Sequence, residues 1–129
     1  EDKVIFTGSV DNLELPLYLK VADVFVRPSR SEGLGISFLE AMAAGIPVIA
    51  TKVGGIPDFL DDPSTGSGRA TGLFCKLDPE DIASKINIIL ENDQLRQEIV
   101  NNSKMLVKEK YNWDKITKQY ETIYHHSSL

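Results

Sequence analysis

The chain has 129 residues, one domain's worth and long enough for a real core, with 42% hydrophobic and 26% charged residues as in ordinary soluble globular proteins. Its net charge of −5, from 14 Lys+Arg against 19 Asp+Glu, excludes the broad basic surface that nucleic acid needs as a main partner. No apolar run approaches the roughly 20 residues that span a bilayer, and no signal peptide is visible. A chain beginning at Glu1 rather than Met is expected to be processed or a piece of a longer protein.

In chain order, Val4-Ile5-Phe6-Thr7-Gly8 reads as a buried strand ended by glycine. Leu13 to Ala22 reads as a helix, with Leu13, Leu17, Tyr18 and Val21 at helical spacing and Pro16 in the first turn. Asp23 to Val26 is the next strand, stopped by Arg27-Pro28-Ser29. The Gly33-Leu34-Gly35 turn then feeds a small-residue helix from about Ser37 to Ala44, closed by Gly45 and Pro47. Pro47 to Thr51 is a third strand, Gly54-Gly55 a second turn, and Ile56 to Leu60 a short helix.

Asp61 to Thr71, rich in Gly, Ser, Pro and Thr, reads as a mobile loop. Gly72 to Cys75 is a fourth short strand. Cys75, the single cysteine, excludes an intrachain disulfide, fits a reducing compartment and reads as a buried structural thiol. Asp78-Pro79-Glu80-Asp81 is a helix start, with Ile82, Ile86, Ile89 and Leu90 as the buried stripe. Asp93 caps the following helix in this reading, with Leu95, Ile99, Leu106 and Val107 apolar. Asn112 caps the last one, with Trp113, Ile116, Tyr120 and Ile123 inward and a fraying tail from His125. Lys104, Lys108, Lys110, Lys115 and Lys118 alternate with acids, the pattern of a solvated face.

Short apolar strands alternating with helices predict an α/β fold with a parallel sheet, whose ligands bind at the carboxyl ends of strands. Both glycine-rich turns follow strands in that way. Gly33 and Gly35 permit close approach of a ligand to bare backbone, and the helix behind them points its N–H groups into the same space, as an anion site requires. Glu32 and Glu40 flank that site. They would repel phosphate, so they are expected to accept from hydroxyls, and phosphate between polyols describes a nucleotide sugar. Taken alone, Glu32 reads equally as a ligand-binding acid or as a mere loop acid or cap, and Arg30 equally as a phosphate contact or an exposed charge. Glu40, set in a mostly apolar helix, is expected to have a partner. Ser37 reads as a cap or a spectator rather than a nucleophile, since no histidine is near it in sequence.

Glu32-GLGISFL-Glu40, two acids with seven residues between them, resembles the donor-binding motif of the group 1 glycosyltransferases (family 4, retaining). The surroundings are similar too: Val4 to Gly8, Ala22 to Ser29, Glu40 to Thr51, Val53-Gly54-Gly55, and Gly72-Leu73 followed by Asp78-Pro79, over about Val4 to Tyr124. The resemblance implies two Rossmann-like domains in the parent, a B-type glycosyltransferase fold, of which this chain supplies an incomplete half. It implies that Glu32 is catalytic and contacts the transferred sugar. Gly33, Leu34, Gly35, Ile36 and Ser37 would meet sugar and diphosphate through backbone N–H groups, and Glu40 would hold the ribose. It further implies retention of anomeric configuration by front-face displacement, with no metal and no cofactor beyond the nucleotide-sugar substrate.

The departures from the family matter as much. Nothing here corresponds to its N-terminal acceptor domain or to the opening donor-domain strands. Arg27, Arg30 and Lys52 do not occupy the positions of the family's diphosphate-neutralising cations. The fragment alone is therefore expected to be inactive and the acceptor stays unidentified. The resemblance implies a cytoplasmic location, with peripheral membrane association through the absent domain. Two other readings stand: a sugar-nucleotide epimerase or phosphorylase of similar architecture, and a nucleotide-sugar-binding or regulatory module without transferase activity. In a strand order of 3-2-1-4-5-6, Val4 to Thr7 is strand 3 and Val24 to Val26 strand 4. With strands 1 and 2 absent, Val4 to Thr7 is expected to pair with Val24 to Val26, or that edge to pair with a second copy in a homodimer.

Overall fold

The computed structural model of the chain describes residues 3–66 and 68–126. Its centre is a three-stranded parallel sheet in the order β1 (Phe25–Arg27), β2 (Val48–Thr51), β3 (Leu73–Cys75). Phe25, Val26 and Arg27 lie beside Val48, Ile49 and Ala50, and Ile49, Ala50 and Thr51 beside Leu73, Phe74 and Cys75. All four residues of β2 are buried, as expected of the middle strand of a sheet covered on both faces.

Alternation along β2 divides the core in two. Val48 and Ala50 join Phe38, Leu39, Ala41 and Met42 of α2 (Ile36–Ala44) with Ile56, Phe59 and Leu60. Ile49 joins Leu73 and Cys75 of β3 on the other face, with Ile89 of α3 (Pro79–Glu91) and Ile99 of α4 (Asp93–Lys110). The short α1 (Leu15–Lys20) packs Leu19 onto the first cluster, and α5 (Trp113–His126) closes the described chain. The α/β class, the parallel sheet and the flanking helices are those expected.

Several expectations fail. Val4 to Thr7 is not a strand: Val4, Ile5 and Phe6 are 65%, 85% and 94% exposed. The reason is partnering, since a short extended segment has no stability without a neighbouring strand to take its hydrogen bonds. It does not pair with β1, whose outer edge has no strand beside it among the described residues. In α1 the inward face is Leu15 and Leu19, while Leu17 and Tyr18, and Leu13 and Val21 on either side of the helix, are exposed. Asn92, not Asp93, caps α4 by accepting from the Leu95 N–H at 3.0 Å. Asn112 caps α5 as expected, but Trp113, Tyr120 and Ile123 are exposed rather than inward, and only Ile116 of that stripe is half-buried. The expected fraying from His125 conflicts with a helix that includes 125 and 126, and its remainder lies outside the described residues.

Described residues at both ends of the loop from Asp61 to Thr71 are hydrogen-bonded to their surroundings. The Thr71 hydroxyl donates to the carbonyl of Phe59 and accepts from the Asp61 N–H, and Asn102 of α4 donates to the carbonyl of Ala70. Asp62, 2% exposed, accepts from the Ser64 N–H and hydroxyl and from the Phe74 N–H of β3.

Candidate functional site

The site lies where β1 and β2 end. Beyond β1 the chain turns through Ser29 to Gly35 into α2, and beyond β2 it turns through Gly54-Gly55. The two turns are fastened together. The Thr51 hydroxyl donates to the carbonyl of Ser29, and the Gly55 N–H donates to the carbonyl of Gly33 at 3.0 Å. Gly54, at φ +55°, passes so close that a Cβ there would stand 1.8 Å from the Glu32 carbonyl oxygen. Only glycine permits that approach, so the second turn sets the backbone height of the first.

Glu32 stands at the mouth of this double turn with its side chain 9% exposed, its Oε1 taking an ion pair from Arg27 Nη2 at 2.8 Å. Arg27 Nη1 donates to the hydroxyl of Ser37, also at 2.8 Å, and the guanidinium lies 5.7 Å from the centre of the Phe38 ring. Phe38 in turn meets Phe25 edge-on, with ring centres 5.5 Å apart. One arginine at the end of β1 thus holds the acid before the glycine turn and the serine after it.

Of the remaining candidates, Gly33 and Leu34 are exposed, and Leu34 puts 48% of its surface in solvent at the tip of the turn. Gly35 sits at φ +71° as the residue before α2, and Ile36, the first helical residue, is 65% exposed. No side chain caps α2 and its first turn has no acid; the Phe38 N–H donates to the Gly35 carbonyl at 3.0 Å, and the partial positive charge of the helix start faces the turn. Glu40 is exposed on α2 and makes no hydrogen bond or ion pair among the described residues. It stands between two grooves. One of about 460 Å³ is lined by Asn12, Leu15, Pro16, Leu19 and Lys20; the other, of about 320 Å³, by Leu34, Ile36, Val107, Tyr111, Trp113 and Ile116.

The structure therefore joins Glu32, Gly33, Gly35 and Ser37 into one turn and leaves Glu40 on the flank of the same helix. Arg27 was missed as part of the site. The available signal was its place at the end of a strand, five residues before the acid it neutralises. Cys75 lies elsewhere, buried in β3; burial and the nearby Asp81 carboxylate push its thiol up, away from thiolate chemistry. No group of three or more His, Cys, Asp or Glu among the described residues is arranged to hold a metal ion. No described helix is long and apolar enough to cross a membrane.

The three-stranded parallel sheet with its flanking helices matches the C-terminal domain of B-type glycosyltransferases. The chain belongs to the family described as glycosyl transferases group 1, whose model matches residues 1–125. It is 40% identical over 109 residues to the sulfoquinovosyl transferase SQD2 of Arabidopsis thaliana, covering 84% of this chain and 21% of that protein. Among solved structures it is similar to the C-terminal domain of the group 1 glycosyl transferase LpcC from Francisella tularensis. That match has a TM-score of 0.70 and 31% identity, over 84% of this chain and 53% of that one. It is also similar to Anabaena HepE in complex with UDP-glucose, with a TM-score of 0.76 and 25% identity, over 90% of this chain and 30% of that one. The chain spans between 21% and 31% of the length of the first curated relatives it matches.

Proposed function

We propose that this chain is the donor-holding part of a retaining glycosyltransferase that moves a sugar from a nucleotide sugar to an acceptor. The rest of the parent protein supplies the acceptor domain and the first strands of the donor domain. The observation that carries this reading is the Glu32-Gly33-Leu34-Gly35 turn, set against an uncapped helix start with its acid held by Arg27.

In this reading the N–H groups from Gly33 to Ser37 take the donor's diphosphate, whose negative charge suits the start of α2. Glu32, with Oε1 given to Arg27, offers its second oxygen to hydroxyls of the transferred sugar. Glu40, which has no partner of its own, accepts from the ribose hydroxyls. As the bond from the sugar's anomeric carbon to the leaving phosphate oxygen breaks, the acceptor oxygen bonds to that carbon from the same face. Its proton passes to the departing phosphate. The chain's contribution is to position the donor and stabilise developing charge.

The test is kinetics on the full-length protein with a panel of UDP-, GDP- and ADP-sugars. Glu32→Ala is expected to lower kcat strongly. Glu40→Ala is expected to raise KM for the donor, by about 1–3 kcal/mol of lost charged hydrogen bonds. Wild-type constants for both variants would refute the site.

A further inference from the structure

We infer that Arg27 is a positioning residue for the transfer step: it sets the width of the glycine turn and the direction of Glu32. The inference rests on the donor-site reading above. The turn from Gly33 to Gly35 contains two glycines and an exposed leucine, so it has no side chain of its own to fix its two arms. Arg27 spans them. One nitrogen of its fork binds Glu32 on the arm before the glycines and the other binds Ser37 on the arm after, each at 2.8 Å. The fork is rigid and planar, so both arms are held in a single mutual geometry, which a lysine, as a point charge, does not reproduce.

The burial is asymmetric in the way a positioning role requires. The Glu32 side chain is 9% exposed and that of Arg27 48%. The carboxylate is thus the desolvated member of the pair and depends on the guanidinium for compensation, while the guanidinium keeps contact with water. Arg27 is itself fixed from below, by its place at the end of β1 beside Ala50 and by the Phe38 ring under its guanidinium. With Oε1 occupied, Glu32 has one oxygen left for a sugar hydroxyl and one direction in which to offer it. The alternative role, a direct phosphate ligand, would require the same guanidinium to spend its charge on the diphosphate.

The experiment compares Arg27→Met, Arg27→Lys, Glu32→Gln and the Arg27→Met/Glu32→Gln double variant in the full-length protein. It uses the sugar nucleotide turned over fastest by the wild type, and the matching free nucleoside diphosphate as a binding probe. Methionine keeps the apolar stem over Phe38 and removes the fork. Arg27→Met is expected to lower kcat roughly ten- to a hundredfold, the scale of a small misplacement of a reacting group, with nucleoside diphosphate affinity unchanged. Arg27→Lys is expected not to restore the rate. The double variant is expected to be no slower than Glu32→Gln, because both changes remove one unit. Three results would overturn the inference: an unchanged kcat in Arg27→Met, a loss of nucleoside diphosphate affinity in step with kcat, or independent multiplication of the two single effects. If Glu32→Gln turns over like the wild type, the donor-site reading itself fails and the inference falls with it.

Discussion

Gly54 and Gly66 both have positive φ, +55° and +76°, yet only Gly54 has backbone where a Cβ would go. Gly54→Ala is expected to combine left-handed strain with a collision against the Glu32 carbonyl and to cost about 2–4 kcal/mol, while Gly66→Ala bears the strain alone, about 1–2 kcal/mol. Urea midpoints at constant m-value measure the difference, and equal costs would mean that the close approach of the two turns is not tight. Asp62 gives a second prediction at this scale. Burial raises its pKa, but hydrogen bonds from the Ser64 hydroxyl and the Phe74 and Ser64 N–H groups, with the Lys85 charge, outweigh that and leave it below the ordinary aspartate range. Because the folded-state pKa is the depressed one, the stabilisation is complete above the unfolded value of about 3.9 and is lost as pH falls through the folded value. Asp62→Ala is expected to cost about 1–3 kcal/mol at pH 7, where it leaves the Phe74 and Ser64 donors without their acceptor. The cost should shrink as pH falls below about 4, where the unfolded carboxyl takes up its proton, and vanish once pH has passed the lower folded value. A pH-independent difference in denaturation midpoints would show that the loop is not held by the ionised carboxylate.

Among the elements, α4 separates two acceptors one residue apart. Asn92 accepts from the Leu95 N–H, whereas Asp93 sits in the first turn and pairs with Arg96 on the surface. Asn92→Ala is expected to cost about 1 kcal/mol, as cap removals do, and Asp93→Asn less than about 0.5 kcal/mol, as exposed pairs do. Thermal unfolding of the two variants distinguishes them, and a larger loss for Asp93→Asn would restore the assignment made from sequence. The sequence makes both residues competent caps, and only the φ/ψ of the chain entering the helix decides between them. The same limit explains α1. Leucines at 13, 15, 17 and 19 alternate, so more than one helical stripe is available, and packing on the first core cluster selects Leu15 and Leu19. By contrast β2 was legible from Val48-Ile49-Ala50-Thr51 alone, because a continuous apolar run suits a strand covered on both faces. The Gly-x-Gly turn was legible for a similar reason: only glycine takes Gly35's positive φ without cost. The Arg27 bridge was not, since nothing in the spacing says which acid a strand-end arginine meets.

For the whole molecule, one group of residues that contradicted the sequence reading shares a cause. Val4, Ile5 and Phe6, Leu13 and Leu17 at α1, and Trp113 and Tyr120 of α5 have apolar sequence patterns, yet no described surface covers them. The outer edge of β1 has no strand partner among the described residues either. Patterning reports what a segment is built to bury, and the covering surface must come from elsewhere, consistent with a chain that spans between 21% and 31% of its relatives' length. In the proposed reading the donor site is divided in the same way: this chain offers the glycine turn, Glu32 and the start of α2, while the Arg27 guanidinium is already engaged by Glu32, which leaves the diphosphate charge poorly matched. The 129 residues alone are therefore expected to bind UDP-, GDP- and ADP-sugars weakly or undetectably in calorimetry, and the full-length protein to bind one of these classes well. Micromolar affinity in the isolated chain would mean that its own N–H groups and acids suffice for the donor, and that the remainder of the parent contributes the acceptor alone.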